Sequence, residues 1–220
     1  MTTLVQEMDE ELREAAGRGN VEFLKKCVEL NKPNEYYLTV FPQRHDLDTW
    51  YGNMFHIAAH AEEDEFVRQA IEGKLLGDEM VHQLLCQPCS ETNKDNPLHV
   101  AARFGNVEIV KMFLNASKSS SLPSHLPKPE TPCHAAVYEK KEECALEIWK
   151  MDKELLSNML DNVGHSLLCY AVEQGLNKVA MEILSSPHSF SSDGADGYHA
   201  LHYVPNCLGK PHFILTLAHF

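Results

Sequence analysis

One short motif recurs along most of the sequence, and this repetition limits the fold more than any other feature. The clearest copy covers residues 96–114 and reads NPLHVAARFGNVEIVKMFL. Copies of its opening that keep only part of the motif residues occur at 11–19, 53–59, 131–137, 166–175 and 199–204. The residues at the position of its histidine are Arg13, His56, His99, His134, Cys169 and His202, at spacings of 43, 43, 35, 35 and 33 residues. Such a period predicts a stack of small units, each too small to bury its own apolar face.

A second set of positions supports the repeat without using the motif. Positions four, five, eight and nine residues after the inter-helix glycine position lie on one face of a helix, and all twenty are apolar. They are Phe23, Leu24, Cys27, Val28, Phe66, Val67, Ala70, Ile71, Ile109, Val110, Phe113, Leu114, Cys144, Ala145, Ile148, Trp149, Val179, Ala180, Ile183 and Leu184. Since 44% of the chain is hydrophobic, coincidence is a poor explanation.

The motif resembles the ankyrin repeat, with its Thr-Pro-Leu-His opening, its Ala-Ala pair and a glycine between two helices. The ankyrin period is about 33 residues. The resemblance implies an all-α chain, an ankyrin-repeat solenoid of stacked helix-turn-helix units, five complete and a sixth truncated. The repeats are expected near 8–50, 51–94, 95–129, 130–163 and 164–196, with a partial repeat at 197–220. The resemblance also implies that the motif histidine is buried and ties neighbouring turns together by hydrogen bonds.

Individual motif residues predict where the first helices begin and end. Asn96-Pro97 and Thr131-Pro132 place a capping side chain before a proline that needs no backbone donor in the first turn. Gly105 permits the left-handed turn that ends the helix. Glu62 and Lys140 stand where a glycine is expected, so we predict backbone strain at both positions.

The wider spacings predict insertions of about ten residues relative to the period. Two lie at 31–51 and 73–93, and a third loop at 117–127 is rich in serine and proline, which predicts flexibility. The acidic first copy suits a solvated cap. The last residues form an apolar tail, containing Phe213, Ile214, Leu215, Leu217 and Phe220, that predicts fraying or self-association.

Composition and charge exclude several function classes. Asp and Glu number 32 against 19 Lys and Arg, a net charge of −13 that repels nucleic acids and anionic lipid surfaces. The longest apolar run, 167–172, is far shorter than a membrane-spanning helix. The acidic amino terminus does not resemble a targeting signal, and the seven cysteines suit reduced thiols. We therefore expect a cytoplasmic protein.

A closer resemblance covers three segments, 12–24, 155–172 and 196–202. They are similar to the plant ankyrin-repeat proteins of the accelerated-cell-death type, which carry cytosolic repeats followed by membrane helices and act in defence and stress signalling. This resemblance implies a role in plant defence or stress signalling. It also raises the alternative that the chain is the soluble fragment of a membrane-anchored signalling protein, located at the cytosolic face of a membrane.

Few residues suggest chemistry. The adjacent Cys133 and His134 look like a thiol and a base, but the repeat register makes both structural. His82, Cys86 and Cys89 have a spacing compatible with part of a zinc site or a redox pair, although a second ligand pair is missing. A metal or thiol site at Cys86 and Cys89 is therefore the lesser hypothesis. We expect no catalysis, no cofactor and no resident metal.

Protein binding is the function that the repeat favours. In ankyrin stacks the residues just before the Pro-Leu-His opening and just after the Ala-Ala pair face a concave surface. Their register predicts a non-catalytic scaffold that binds a protein partner there, and aromatic and arginine side chains dominate such binding. The predicted partner-binding residues are Trp50, His60, Asp95, Arg103, Phe104, Tyr138, Glu139, His165, Glu173, Gln174 and Tyr198.

Overall fold

A computed structural model describes residues 8–38, 52–89, 94–118 and 130–207. Contacts between residues divide the chain into two compact units, Met1–His125 and Leu126–Phe220. Within the described ranges the secondary structure is helical, with two isolated β-bridges and no strand. The prediction of an all-α chain is therefore confirmed for these residues.

The described part of the first unit contains eight helices. They are α1 (Glu10–Gly17), α2 (Val21–Glu29), α3 (Asn34–Tyr37), α4 (Met54–His60), α5 (Asp64–Ile71), α6 (Asp78–Cys86), α7 (Pro97–Phe104) and α8 (Val107–Lys118). The first helices α1, α4 and α7 pack side by side in one row, and the second helices α2, α5 and α8 form another. Each first helix also packs against the second helix that follows it.

The described part of the second unit repeats this arrangement. Its α-helices are α9 (Pro132–Tyr138), α10 (Glu142–Trp149), α11 (Lys153–Asn158), α12 (Leu167–Glu173) and α13 (Asn177–Leu184), followed by 3-10 helices at Ala195–Gly197 and Ala200–Cys207. Helix α9 pairs with α10, and α12 pairs with α13. Helix α12 packs between α9 and the second 3-10 helix, which takes the place of a first helix. The apolar tail from Phe213 lies outside the described residues.

The starts of three first helices depend on the motif histidine. At α4, α7 and α9 the side chain of Asn53, Asn96 or Thr131 accepts a hydrogen bond from the backbone N–H of that histidine. In return, the histidine side chain accepts one from the N–H of the capping residue, at 3.1 to 3.4 Å. This reciprocal bond satisfies donors that a helix start leaves open.

The ends of the first helices confirm the predicted strain. Gly105 and Gly175 adopt φ of 86° and 73°, in the left-handed region that glycine tolerates. Glu62 and Lys140 adopt φ of 61° and 58° at the corresponding turns. The chain therefore keeps the same turn where the glycine is absent, at the steric cost of a side chain in this region.

The apolar face of the second helices forms the cores of the two units. Seventeen of its twenty predicted members are buried, and the exceptions are Phe23, Val28 and Ile71, which are half-buried. Phe23 and Val28 lie on α2, the outermost helix of its row, which has a second-helix neighbour on one side only. Their exposure follows from that end position.

Part of the second predicted insertion is a helix. Helix α6 lies within 73–93 and packs against α7 and α8, burying Met80, Val81, Leu84 and Leu85. The Asn53 side-chain amide donates a hydrogen bond to the carbonyl of Leu84 at 2.7 Å, and this bond links α6 to the start of α4. The insertion therefore adds to the core of the first unit. The serine- and proline-rich loop and most of the first insertion lie outside the described residues.

Candidate functional site

In the first unit two predicted site residues meet at the ends of neighbouring helices. His60 ends α4 and Phe104 ends α7, and their rings contact edge to face with centroids 4.6 Å apart. Both side chains are half-buried, and burial lowers the pKa of His60. The pair therefore presents an aromatic surface that is neutral near pH 7. Trp50 lies outside the described residues.

Next to this pair lies an ion pair with one buried partner. Arg103 Nη2 is 3.2 Å from Asp95 Oδ2, and the Asp95 side chain is 1% exposed while that of Arg103 is 23% exposed. The Asp95 carbonyl accepts from the backbone N–H of Cys89 at 2.7 Å and contacts His56 Nε2 at 3.2 Å. Asp95 thus fixes the guanidinium at the surface, and Arg103 is the member of the pair that solvent can reach.

In the second unit a tyrosine cluster joins two predicted residues. Tyr138, at the end of α9, is 55% exposed, and its ring centroid lies 6.0 Å from that of Tyr170 on α12. The ring of His165 also contacts Tyr170, with ring centroids 4.5 Å apart. The sequence prediction omitted Tyr170, although it holds the position where other repeats carry Ile57, Val100 or Ala135. A large polar ring at that register position is a signal that could have identified it.

Asp161 organises the loop beside this cluster. Its Oδ1 accepts from the backbone N–H groups of Val163 and His165 at 2.9 and 2.8 Å, and its Oδ2 accepts from the Tyr170 hydroxyl at 2.8 Å. Burial acts to raise the pKa of Asp161, but the hydrogen bonds outweigh it and hold the pKa below its usual value. The charged carboxylate thus connects the turn at 161–165 to the face of α12.

The remaining predicted residues lie at the ends of the same row of helices. Glu173 ends α12 and Gln174 caps it, both half-buried, and Glu139 caps α9 in an exposed position. Tyr198 is 51% exposed and lies beside the second 3-10 helix. Its ring centroid is 5.3 Å from that of His202 and 6.0 Å from that of Tyr203.

Burial accounts for the state of two cysteines that the sequence singled out, the buried Cys133 and the half-buried Cys86. Burial raises the pKa of the Cys133 thiol, which donates to the carbonyl of Ala145, while His134 Nδ1 contacts Thr131 Oγ1 at 2.8 Å. Cys86 Sγ lies 3.7 and 3.8 Å from the ring nitrogens of His82, and burial raises its pKa as well. Among the described residues no three His, Cys, Asp or Glu side chains are placed to hold a metal ion.

Comparisons with known proteins agree with this arrangement of paired helices. A family model described as ankyrin repeats (3 copies) matches residues 12–120 and 55–155. Among solved structures, the chain is similar to the ankyrin repeat domain of Bcl-3, described as a unique member of the IkappaB protein family. That match has a TM-score of 0.65 and 16% identity, and it covers 96% of this chain and 84% of the other. No curated protein sequence matches the chain. In the residues that the structure describes, no helix is long and apolar enough to cross a membrane.

Proposed function

The chain belongs to the ankyrin-repeat family, and from this premise we propose that it is a non-catalytic adaptor that binds a protein partner. Ankyrin repeats generally mediate protein–protein interaction. The observation that carries the proposal is the position of Phe104 and Tyr138. Each ends a first helix; Phe104 is half-buried beside His60, and Tyr138 is 55% exposed beside Tyr170.

Rigid presentation of these side chains favours binding. Phe104 is held by the ring of His60, and Tyr138 by the ring of Tyr170. A surface that is already ordered loses little conformational entropy when a partner docks, so more of the contact energy appears as affinity. Aromatic and arginine side chains are also the residue types that most often dominate such interfaces.

A finer proposal concerns the biological setting. The similarity of 12–24, 155–172 and 196–202 to plant ankyrin proteins of the accelerated-cell-death type supports a role in plant defence or stress signalling, in the cytoplasm. The alternative from the same resemblance is a soluble fragment of a membrane-anchored protein, held at the cytosolic face of a membrane. Hydrophobic spans of about 20 residues encoded downstream of this sequence would favour the alternative.

Two further possibilities have direct tests. Self-association through the apolar tail predicts that light scattering detects dimers or larger species that disappear when the chain is shortened before Phe213. A metal site at Cys86 and Cys89 predicts about one zinc per chain in protein purified without chelator. The raised pKa of Cys86 favours a neutral thiol and therefore argues against reactivity there.

Substitution of the aromatic side chains tests the main proposal. Phe104→Ala and Tyr138→Ala, separately and together, should reduce the capture of partners from a cell extract, as counted by mass spectrometry. Leu30→Ala and Leu155→Ala remove exposed apolar side chains elsewhere in the two units and should leave capture unchanged. Unchanged circular dichroism would show that the variants fold. Equal capture by the double variant and the unsubstituted protein would refute a role of these two side chains in binding.

A test of Arg103 has to replace its partner Asp95 in the same variant. Arg103→Ala alone would leave the buried Asp95 carboxylate without its guanidinium, which destabilises the unit. Arg103→Gln combined with Asp95→Asn removes both charges and keeps hydrogen-bonding groups at both positions. Loss of partner capture in that double variant, with the fold retained, would support a direct contact by Arg103.

A further inference from the structure

Four tyrosines of the second unit, which we call the tyrosine row, lie on or beside three elements that pack side by side. Tyr138 on α9, Tyr170 on α12 and Tyr203 on the second 3-10 helix belong to first-helix positions of consecutive repeats, and these elements pack side by side. Tyr198 extends the row, with its ring 6.0 Å from that of Tyr203. Tyr138 and Tyr198 are each more than half exposed.

Two carboxylates near this row have no counter-charge within the described residues. Glu173 ends α12 and Asp196 lies in the first 3-10 helix, and the side chain of neither makes an ion pair or a hydrogen bond within the described residues. Burial raises the pKa of Tyr203, and the nearby charges of Glu173 and Asp196 add to the rise. Glu173 follows Tyr170 by three residues on α12, so their side chains lie on the same face of that helix, and Asp196 precedes Tyr198 by two residues.

Several other charged side chains of this unit already have partners. Asp161 accepts three hydrogen bonds, and Asp193 lies 3.4 Å from the ring of His199. Lys150, Lys153 and Lys178 pair with glutamates of the second helices at 2.7 to 3.6 Å. Residues 126–220 contain no arginine. The second unit therefore supplies no guanidinium, the planar cation that best complements aromatic faces and carboxylates.

We propose that this tyrosine row, flanked by Glu173 and Asp196, binds an arginine-bearing segment of a protein partner. The proposal rests on the protein-binding function proposed above and names the chemistry of the partner. A guanidinium stacks flat on a tyrosine ring and at the same time donates two hydrogen bonds to a carboxylate. Lysine provides the charge without the planar shape, so arginine fits the row better. The net charge of −13 adds a long-range attraction for a basic segment.

Peptides of defined composition test this proposal with the full chain. A fluorescent, flexible peptide with three arginines spaced by glycine and serine is titrated and followed by anisotropy. The same peptide with citrulline, a neutral side chain of nearly the same shape, should bind at least about tenfold more weakly, and the lysine peptide about two- to fivefold more weakly. Equal binding of the arginine and citrulline peptides would overturn the proposal.

Charge-removing variants distinguish binding at the proposed site from a general electrostatic attraction to the acidic chain. Glu173→Gln with Asp196→Asn should weaken binding of the arginine peptide by about fivefold or more. Glu143→Gln with Glu154→Gln removes the same charge from exposed positions of α10 and α11 and should change it less than about twofold. If both double variants weaken binding equally, the attraction is only general and the proposal fails.

Alanine and phenylalanine substitutions measure how much the tyrosine rings contribute to peptide binding. Tyr138→Ala and Tyr198→Ala should each weaken binding of the arginine peptide about two- to fivefold, while Tyr138→Phe and Tyr198→Phe should keep it. If the peptides fail to bind but partner capture still depends on Phe104 and Tyr138, this inference is wrong and the adaptor function stands. If the arginine peptide binds as expected while capture is insensitive to those residues, the proposed role of Phe104 and Tyr138 in capture is wrong instead.

Discussion

His56 shows how a single buried side chain connects two repeats. The ring is fully buried, its Nδ1 accepts from the N–H of Asn53, and its Nε2 lies 3.2 Å from the carbonyl of Asp95 in the next repeat. The neutral tautomer with its proton on Nε2 satisfies both contacts. Burial lowers the pKa of His56 to about 4, although the backbone bond and charge of Asp95 act in the opposite direction. The tie that the resemblance implied for the motif histidine is confirmed at this position.

Stability should therefore depend on pH through His56. Its pKa is about 6.5 in the unfolded chain and lower in the folded chain, so the unfolded state binds the extra proton between those values. Acidification from about pH 7.5 to pH 5 should lower the free energy of unfolding by about 2 kcal/mol through this group alone. Urea unfolding of His56→Gln should show a pH dependence shallower by that amount. His188→Gln is the control, and an unchanged slope in His56→Gln would contradict the expectation.

Helix ends show how the repeat tolerates a missing glycine. The turns at Glu62 and Lys140 keep a left-handed conformation in which the Cβ atom crowds the backbone. The prediction of strain came from the sequence alone, because the glycine position follows from the period.

Lys140→Gly should raise the free energy of unfolding by about 1 kcal/mol, since glycine removes the steric conflict. The opposite change, Gly175→Ala, should lower it by a similar amount, because a Cβ there meets no atom within 4 Å and only the φ of 73° is unfavourable. Glu143→Gly, inside α10, controls for the flexibility of glycine and should destabilise by about 1 kcal/mol. Thermal unfolding of the three variants measures these differences, and a destabilised Lys140→Gly would refute the strain.

The turn at 161–165 depends on one carboxylate. Asp161→Ala leaves two backbone donors and the Tyr170 hydroxyl without their acceptor, so we expect a loss of about 2 to 3 kcal/mol in urea unfolding near pH 7. Asp161→Asn keeps one acceptor oxygen and should lose less. Because the pKa of Asp161 is below its usual 3.8 in the folded chain, its contribution is present above that value and is lost as the pH falls through the lowered one.

Asp196→Asn provides the comparison for this loop. Asp196 is exposed and makes no hydrogen bond within the described residues, so its replacement should change stability by less than about 0.5 kcal/mol. If Asp161→Ala costs no more than Asp196→Asn, the carboxylate does not organise the turn.

At the scale of the whole molecule, charge limits the class of partner. Net charge of −13 repels phosphate backbones, and non-specific binding to DNA requires positive charge to replace counterions. We expect no retardation of a short DNA duplex in a gel at about 150 mM salt with tens of micromolar protein. A basic DNA-binding protein serves as the positive control. Retardation by this chain would show that a local basic site outweighs its net charge.

Features set by residues near one another in the chain could be predicted from the sequence. The period, the capped starts of α7 and α9, the left-handed turns and the apolar face of the second helices all depend on spacings of a few residues. Hydrogen bonding and side-chain packing within one or two helical turns determine them, and a single repeat contains all the groups involved. The family followed from the same pattern.

Only the tertiary structure decided which side chains solvent can reach and which groups meet. It buries Asp95 under Arg103, joins Tyr170 to Asp161, and turns part of an insertion into the core helix α6. It also brings the rings of Tyr138 and Tyr170 together and packs the second 3-10 helix, which carries Tyr203, beside α12. These outcomes depend on neighbours distant in sequence, because burial and ion pairing are properties of the packed assembly of helices and not of any single helix.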